Sequence, residues 1–304
     1  MIVDSFLSYL FLYPPASTLL FISATVFIRT AAYSYFFHPY ADIPGPFWAK
    51  VSRLWLARQV VRGDIDKTQR ALHQNYGPIV RVAPNELSIS DPTALKVIYA
   101  VNSGFSKTDF YLPFAAHLSQ NEDFFTQQDE KHHAPRCRVV NNLYSLSSIL
   151  ESEQYIDTCT VTFMSRLDEF DSSSDVTTKA WVSLFAGSNT TAIAMRSILY
   201  NIIKNPEVNK KVTAEIDDAA SKSRLSTPVK YPEAIRLPYF VACCREGFRV
   251  HPSVGMSMPR HVPPSGATIA GRYFKGGSRV GMSANVLHFD KDIFGEDADS
   301  YNPD

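Results

Sequence analysis

From Phe6 to Ile28 the chain carries no charged side chain and is rich in Leu, Phe, Ile and Tyr. A bilayer core takes ~20 such residues, so the run predicts a membrane-crossing helix. Pro14-Pro15 interrupts it and predicts a kink or a split into two shorter pieces. Asp4 precedes the run, while Arg29, Lys50, Arg53 and Arg58 follow it. By the positive-inside bias this puts the bulk of the chain on the cytosolic side. A cleaved signal peptide competes with the anchor, but the run has no basic leader and no clear small-residue cleavage site. A buried core helix, the third reading, fits poorly with a terminal position and a double proline.

The next stretch, His38-Pro39 and Ile43-Pro44-Gly45-Pro46, disfavours helix and predicts a stiff linker. Trp48 and Trp55 follow, amphipathic rings suited to a membrane–water boundary. The expected division is an anchor over residues 1–30, a proline-rich linker over 31–47 and a globular part over 48–304. Asp66–Tyr76 reads as a helix containing Leu72 and ended by Gly77-Pro78. Ile79–Val82 and Glu86–Ile89 alternate around Pro84-Asn85 and predict a hairpin. Asp91-Pro92 caps a further helix with Leu95, Val97, Ile98 and Val101 at helical spacing. Later, an apolar helix runs from Leu184 to about Ile203. Asn205-Pro206 opens another through Ala219, Ser221–Pro228 is a polar loop, and Leu237–Val250 is a helix stopped by His251-Pro252.

Composition narrows the class. The 304 residues carry balanced charge and are 45% hydrophobic and 12% aromatic, enough for a sizeable core. With no basic stripe, nucleic acid is not expected as a partner. Cys137, Cys159, Cys243 and Cys244 show neither CxxC spacing nor a paired framework, which predicts reduced thiols and no zinc site.

Three stretches carry chemistry. Glu246 and Arg249 stand three apart in Cys244–Pro252, so on a helix they share a face and can pair, although such pairs are common on solvated helices. Leu184-Phe185-Ala186-Gly187-Ser188-Asn189-Thr190-Thr191-Ala192 sets two residues with almost no side chain before two hydroxyls. Ala186 and Gly187 let a flat group approach the backbone, and Gly187 costs ~1 kcal/mol in helix propensity, so its position asks for a reason. Tight helix packing is the plainer explanation. Thr190 and Thr191 offer hydroxyls able to loosen the helical ladder and relay protons. The third stretch, His132–Ser145, is a His- and Arg-containing helix.

Taken in order, these motifs resemble a membrane-bound cytochrome P450 of the fungal type. Tyr76-Gly77-Pro78-Ile79-Val80-Arg81-Val82, the hairpin, Phe105-Ser106-Lys107, Met258-Pro259-Arg260 and Phe294–Asp304 complete the match. The resemblance implies a mainly α fold with a small β-sheet portion (α+β), a partial cytochrome P450 fold behind an N-terminal transmembrane helix. It implies haem as cofactor, NADPH-cytochrome P450 reductase as partner, and oxidation of an apolar small molecule, by family habit in fungal secondary metabolism. The setting would be the endoplasmic reticulum membrane, with the catalytic part cytosolic. Asn189 and Thr190 would serve oxygen activation. His133, Arg138, Ala186, Gly187 and Arg260 would contact the haem, and Glu246–Arg249 would lock the core beside it.

Three positions depart from that pattern. Cys137 stands where the family has an arginine for a haem propionate, leaving Arg136 or Arg138 to reach it, and Asn189 replaces a carboxylate. Lys275 stands where the family has proline. Only about forty residues separate Ser145 from Ala186, where the family has several helices roofing the substrate cavity. The chain also reaches Asp304 before any cysteine loop, so the expectation is that it lacks the thiolate ligand of the iron. That leaves an inactive membrane-anchored remnant as the competing function and an unrelated helical membrane protein as the third. For the 304-residue chain, no carbon-monoxide band of thiolate-ligated haem is expected.

Overall fold

The structure, a computed structural model, describes residues 16–114, 125–142, 145–155, 157–158, 161–162 and 181–304, the side chains of Ala16, Ser17, Arg136, Val140 and residues 181–188 excepted. It is rich in helix with a small sheet, and it divides into two compact units. One comprises Met1–Phe105 and Pro259–Met282, the other Ser106–Met258 and Ser283–Asp304.

In the first unit, helix α1 (Ala16–Ala32) begins directly after the proline pair and runs on as a π-helical turn over Tyr33–Phe37. Residues 6–15 of the expected span lie outside the described residues. Thr18–Phe37 is 20 residues long with mean hydropathy 1.4 and is long and apolar enough to cross a bilayer. Its far end is docked: Ser34 is buried and held by Arg81. The expected linker is therefore helical to Phe37, and irregular chain starts at His38.

Helix α2 (Ile65–Tyr76) leads into an antiparallel hairpin of β1 (Ile79–Ala83) and β2 (Glu86–Ile89), with Ile79 opposite Ile89 and an irregularity between Arg81 and Ala83. Leu72, Val80 and Val82 form a core cluster, and Trp55 packs against it. Trp55 is half-buried against that cluster, while Trp48 is exposed. The helix expected through Val101 ends at Ile98: Ile98 is buried, but Leu95 and Val101 face solvent. Helical spacing there reflected chance rather than a buried face.

The chain returns to this unit with β3 (Arg260–His261), β4 (Ala267–Ile269), β5 (Arg272–Phe274) and β6 (Arg279–Gly281). β6 lies parallel to β2, Leu87 opposite Val280, and β3 lies antiparallel to β6. β4 and β5 form a separate hairpin. Arg81 is fully buried in this unit, and among the described residues no carboxylate pairs with it directly, Asp42 acting on it only through its charge. Its guanidinium donates instead to the carbonyls of Ser34 and Pro84 and to Ser34 Oγ. Burial pulls its pKa down, and those acceptors offset the desolvation.

In the second unit, the helix expected over His132–Ser145 is α3 (Glu130–Val140), which ends before Asn141, and a short helix, Leu146–Glu151, follows. Helices α4 (Trp181–Lys204), α5 (Pro206–Ser221) and α6 (Pro238–Val250) follow. Ile202 from α4, Val208 and Val212 from α5, and Cys243 from α6 make their shared core. Glu215 of α5 accepts from the backbone N–H of Tyr239 and Phe240 at 3.0 and 2.9 Å. It thereby caps two of the amides that the start of α6 leaves unpaired.

Candidate functional site

Positions 246 and 249 fall on one face of α6, and the two side chains meet there. Arg249 Nη2 and Nε donate to the Glu246 carboxylate at 2.6 and 2.8 Å, a bidentate pair with both partners largely buried. The remaining donors reach main-chain carbonyls: Nη1 to His288 and Ala298 at 2.7 and 2.6 Å, Nη2 to Ser300 at 2.7 Å. Phe289 and Phe294 flank the guanidinium at 5.6 and 5.2 Å. Glu246 also accepts from Asn302 N at 2.9 Å. One ion pair thus ties α6 to residues 288–302. His288 donates from Nδ1 to the Arg249 carbonyl, and its pKa is lowered first by burial and then by the Arg249 charge.

Helix α4 packs on α6 at a point the sequence left unmarked. Gly247 lies so close to Ile198 that a β-carbon there would sit 2.6 Å from Ile198 Cγ1, and Ser197 Oγ donates to the Gly247 carbonyl. A glycine inside an apolar helix was the available signal. About two turns toward the helix start, Asn189, Thr190, Thr191 and Ala192 are all exposed. Ser253 Oγ donates to the Thr190 carbonyl at 2.8 Å, which draws that carbonyl toward the segment after α6. Ala186 and Gly187 lie on α4, with side chains outside the described residues.

On α3, His133 is engaged at both ring nitrogens, by Glu130 at 3.3 Å and by the Cys137 sulfur at 3.3 Å. Arg138 is exposed. Arg260, in the first unit, is half-buried, with its guanidinium 5.3 Å above the Tyr99 ring and Nη1 donating to the Pro259 carbonyl. The structure therefore brings Glu246 and Arg249 together and sets Thr190 beside Ser253. His133 it pairs within its own helix.

A haem asks for cations at its propionate edge, a face of low side-chain bulk and an axial donor. Arg260, stacked and with guanidinium donors, suits the first demand, and exposed Arg138 is a second cation. The exposed turn Asn189–Ala192 after Ala186-Gly187 suits the second. The third is not met by Cys243 or Cys244: Cys243 is packed among Ile202, Val208 and Val212, and burial pushes both thiols up. Cys159 lies outside the described residues. Each of these residues suits its demand taken by itself, and no step through the iron follows from them.

A family model described as Cytochrome P450 matches residues 170–304. Cytochrome P450 monooxygenase gsfF of Penicillium aethiopicum is 27% identical over 397 aligned residues, covering 88% of this chain and 79% of that protein. The alignment is longer than the chain, so that relative carries internal segments without a counterpart here. Cytochrome P450 monooxygenase ACRTS1 of Alternaria alternata is 39% identical over 130 residues, covering 43% of this chain and 35% of that protein. Retinoic acid bound cyanobacterial CYP120A1 shares the fold at a TM-score of 0.63 and 14% identity, covering 86% of this chain and 80% of that one. With the motif order and the α6 lock already in place, these likenesses make the chain similar in sequence to fungal cytochrome P450 monooxygenases and similar in fold to a solved P450.

Proposed function

We propose that the chain serves haem-dependent monooxygenation of an apolar small molecule in fungal secondary metabolism, drawing electrons from NADPH-cytochrome P450 reductase. The observation that carries this reading is the Glu246–Arg249 lock and its three carbonyl partners, which hold α6 and residues 288–302 in one arrangement. The Arg260 guanidinium is the cation proposed for a carboxylate of the group. Bound haem supplies the oxygen-activating centre.

The chain's own residues do the rest. The Thr190 hydroxyl holds a water and passes a proton along it, while the Asn189 amide orients that water without supplying a proton. His133, the further residue that the resemblance offers to the group, has one nitrogen donating to Glu130 and the other accepting from Cys137. Helix α1 crosses the endoplasmic reticulum membrane, and the basic residues after it keep the remainder cytosolic.

A second reading, the inactive remnant, is favoured by one observation: Cys243 is buried within packing, Cys244 is half-buried, and desolvation pushes both thiols up. The reduced carbon-monoxide spectrum of the purified, haem-titrated chain separates the two. A thiolate-type band supports the oxygenase. Haem bound without that band, or no bound haem, supports the remnant.

A further inference from the structure

Glu130, His133 and Cys137 follow one another at spacings of three and four on α3, which puts their side chains on one face of the helix. Glu130 Oε1 lies 3.3 Å from His133 Nδ1, and His133 Nε2 lies 3.3 Å from the Cys137 sulfur. A carboxylate only accepts, so it fixes the proton on Nδ1 and leaves Nε2 to receive the thiol proton. That is the order of an activated nucleophile: sulfur, base, and a third group orienting the base. Among the described residues no three His, Cys, Asp or Glu side chains are arranged to hold a metal, so this is not a ligand set.

Accessibility agrees. Cys137 and His133 are half-buried, open enough for a small reagent and covered enough to sharpen the contact between them. Cys243 is fully buried, and burial pushes the Cys243 and Cys244 thiols up. Among the described residues, Cys137 is thus the cysteine whose sulfur faces an imidazole nitrogen, while the other two are covered. Nothing in the haem reading uses the sulfur of Cys137.

We infer that Cys137 is a covalent modification site for soft electrophiles of the α,β-unsaturated carbonyl class, with His133 as its base and Glu130 as the positioning residue. The thiol proton passes to His133 Nε2. The sulfur then bonds to the β-carbon of the electrophile as the carbon–carbon π pair shifts toward the carbonyl, giving an enolate. His133 returns the proton to the α-carbon, so the product is a thioether and no oxidant or reductant is consumed. The inference rests on α3 alone and stands whether or not haem binds.

Brief exposure of the full chain to N-ethylmaleimide at neutral pH, followed by intact mass and peptide mapping, tests it. The first adduct is expected on Cys137, with Cys243 and Cys244 unmodified. A thiol without help is only a few per cent thiolate at neutral pH, so His133→Asn is expected to slow labelling of Cys137 about tenfold. Glu130→Gln slows it less, and the double variant is no slower than His133→Asn alone, as expected if Glu130 acts only through His133. A variant that fails to fold declares itself by labelling at Cys243 and Cys244. The denatured chain then gives the reference that needs no variant. Labelling of native Cys137 no faster than in the denatured chain overturns the inference, as does an unchanged rate in folded His133→Asn.

Discussion

Arg249 spends its donors on one carboxylate and three main-chain carbonyls, so its loss is felt in several places together. Arg249→Met would leave Glu246, largely buried, without its counter-charge and three carbonyls without donors. Breaking a buried pair from one side costs ~3–5 kcal/mol. We expect a loss of that order in urea unfolding followed by far-UV circular dichroism. Arg249→Lys is expected to recover only a minor part, because an ammonium cannot reproduce the planar fork that meets Glu246 in two places. His73 offers a second single-residue test. It donates from Nδ1 to the Gly77 carbonyl and accepts from Ser88 Oγ at Nε2, and burial lowers its pKa; His288 is lowered in the same way. A base with a depressed pKa binds protons more readily in the unfolded chain. Stability is then complete above the ordinary value of 6.5 and declines as pH falls below it. The urea midpoint should drop between about pH 7 and pH 5, with a shallower fall in His73→Gln. A midpoint flat over that interval would show that neither histidine is held neutral.

At the scale of elements, the contact of α4 with α6 is decided by a missing side chain. Gly247→Ala would gain ~1 kcal/mol in helix propensity, yet its β-carbon would meet Ile198 side chain and backbone together. Overpacking of that kind costs ~1–3 kcal/mol, so a net loss of stability is expected. Ile198→Val, which removes a methyl from the crowded point, should restore part of it in the double variant; additive losses would place the strain elsewhere. This contact also marks where sequence reading stopped. The bounds of α5 and α6, the hairpin and the Glu246–Arg249 pair were legible because each depends on residues within a few positions: a proline in the first turn, a two-residue turn, a spacing of three. Leu95, Val97 and Val101 misled because helical spacing says nothing of what lies opposite, and there only Ile98 found a buried place. The packing of one side of Trp55 was hidden for the same reason, since Leu72, Val80 and Val82 reach it from other elements. The carbonyls of His288, Ala298 and Ser300 could not be read at all, because main-chain acceptors leave no mark in the sequence. The candidate residues were legible as types in order, and their hydrogen bonds were not.

For the whole molecule, the path of the chain matters more than any one element. The first unit is closed by residues that arrive after the second has been traversed, with β6 pairing to β2 and Tyr40 bonding Ser278 at 2.5 Å. A chain cut after Met258 would therefore expose β2 as an open edge and strip Ile269, Phe274, Val280 and Met282 from the core. Residues 79–89 should exchange their amide hydrogens much faster in that shortened chain than in the full one. Equal protection would mean that the hairpin stands without β6. Membrane attachment is the other property of the molecule as a whole. The window Thr18–Phe37 is 6% buried, and Leu20, Phe21, Val26 and Phe27 are all exposed, so an apolar surface of helical length lies uncovered in water. A charged side chain at the centre of a spanning helix costs ~2.5–3.5 kcal/mol on insertion scales, and two such changes exceed what a single span of modest hydropathy gains. The unaltered chain should remain with membranes through alkaline carbonate extraction, and Val26→Arg combined with Phe21→Arg should release it to the soluble fraction. If the double variant stays in the pellet, attachment is carried by a surface other than α1, with the exposed rings of Phe36, Phe37, Phe47 and Trp48 the next to alter.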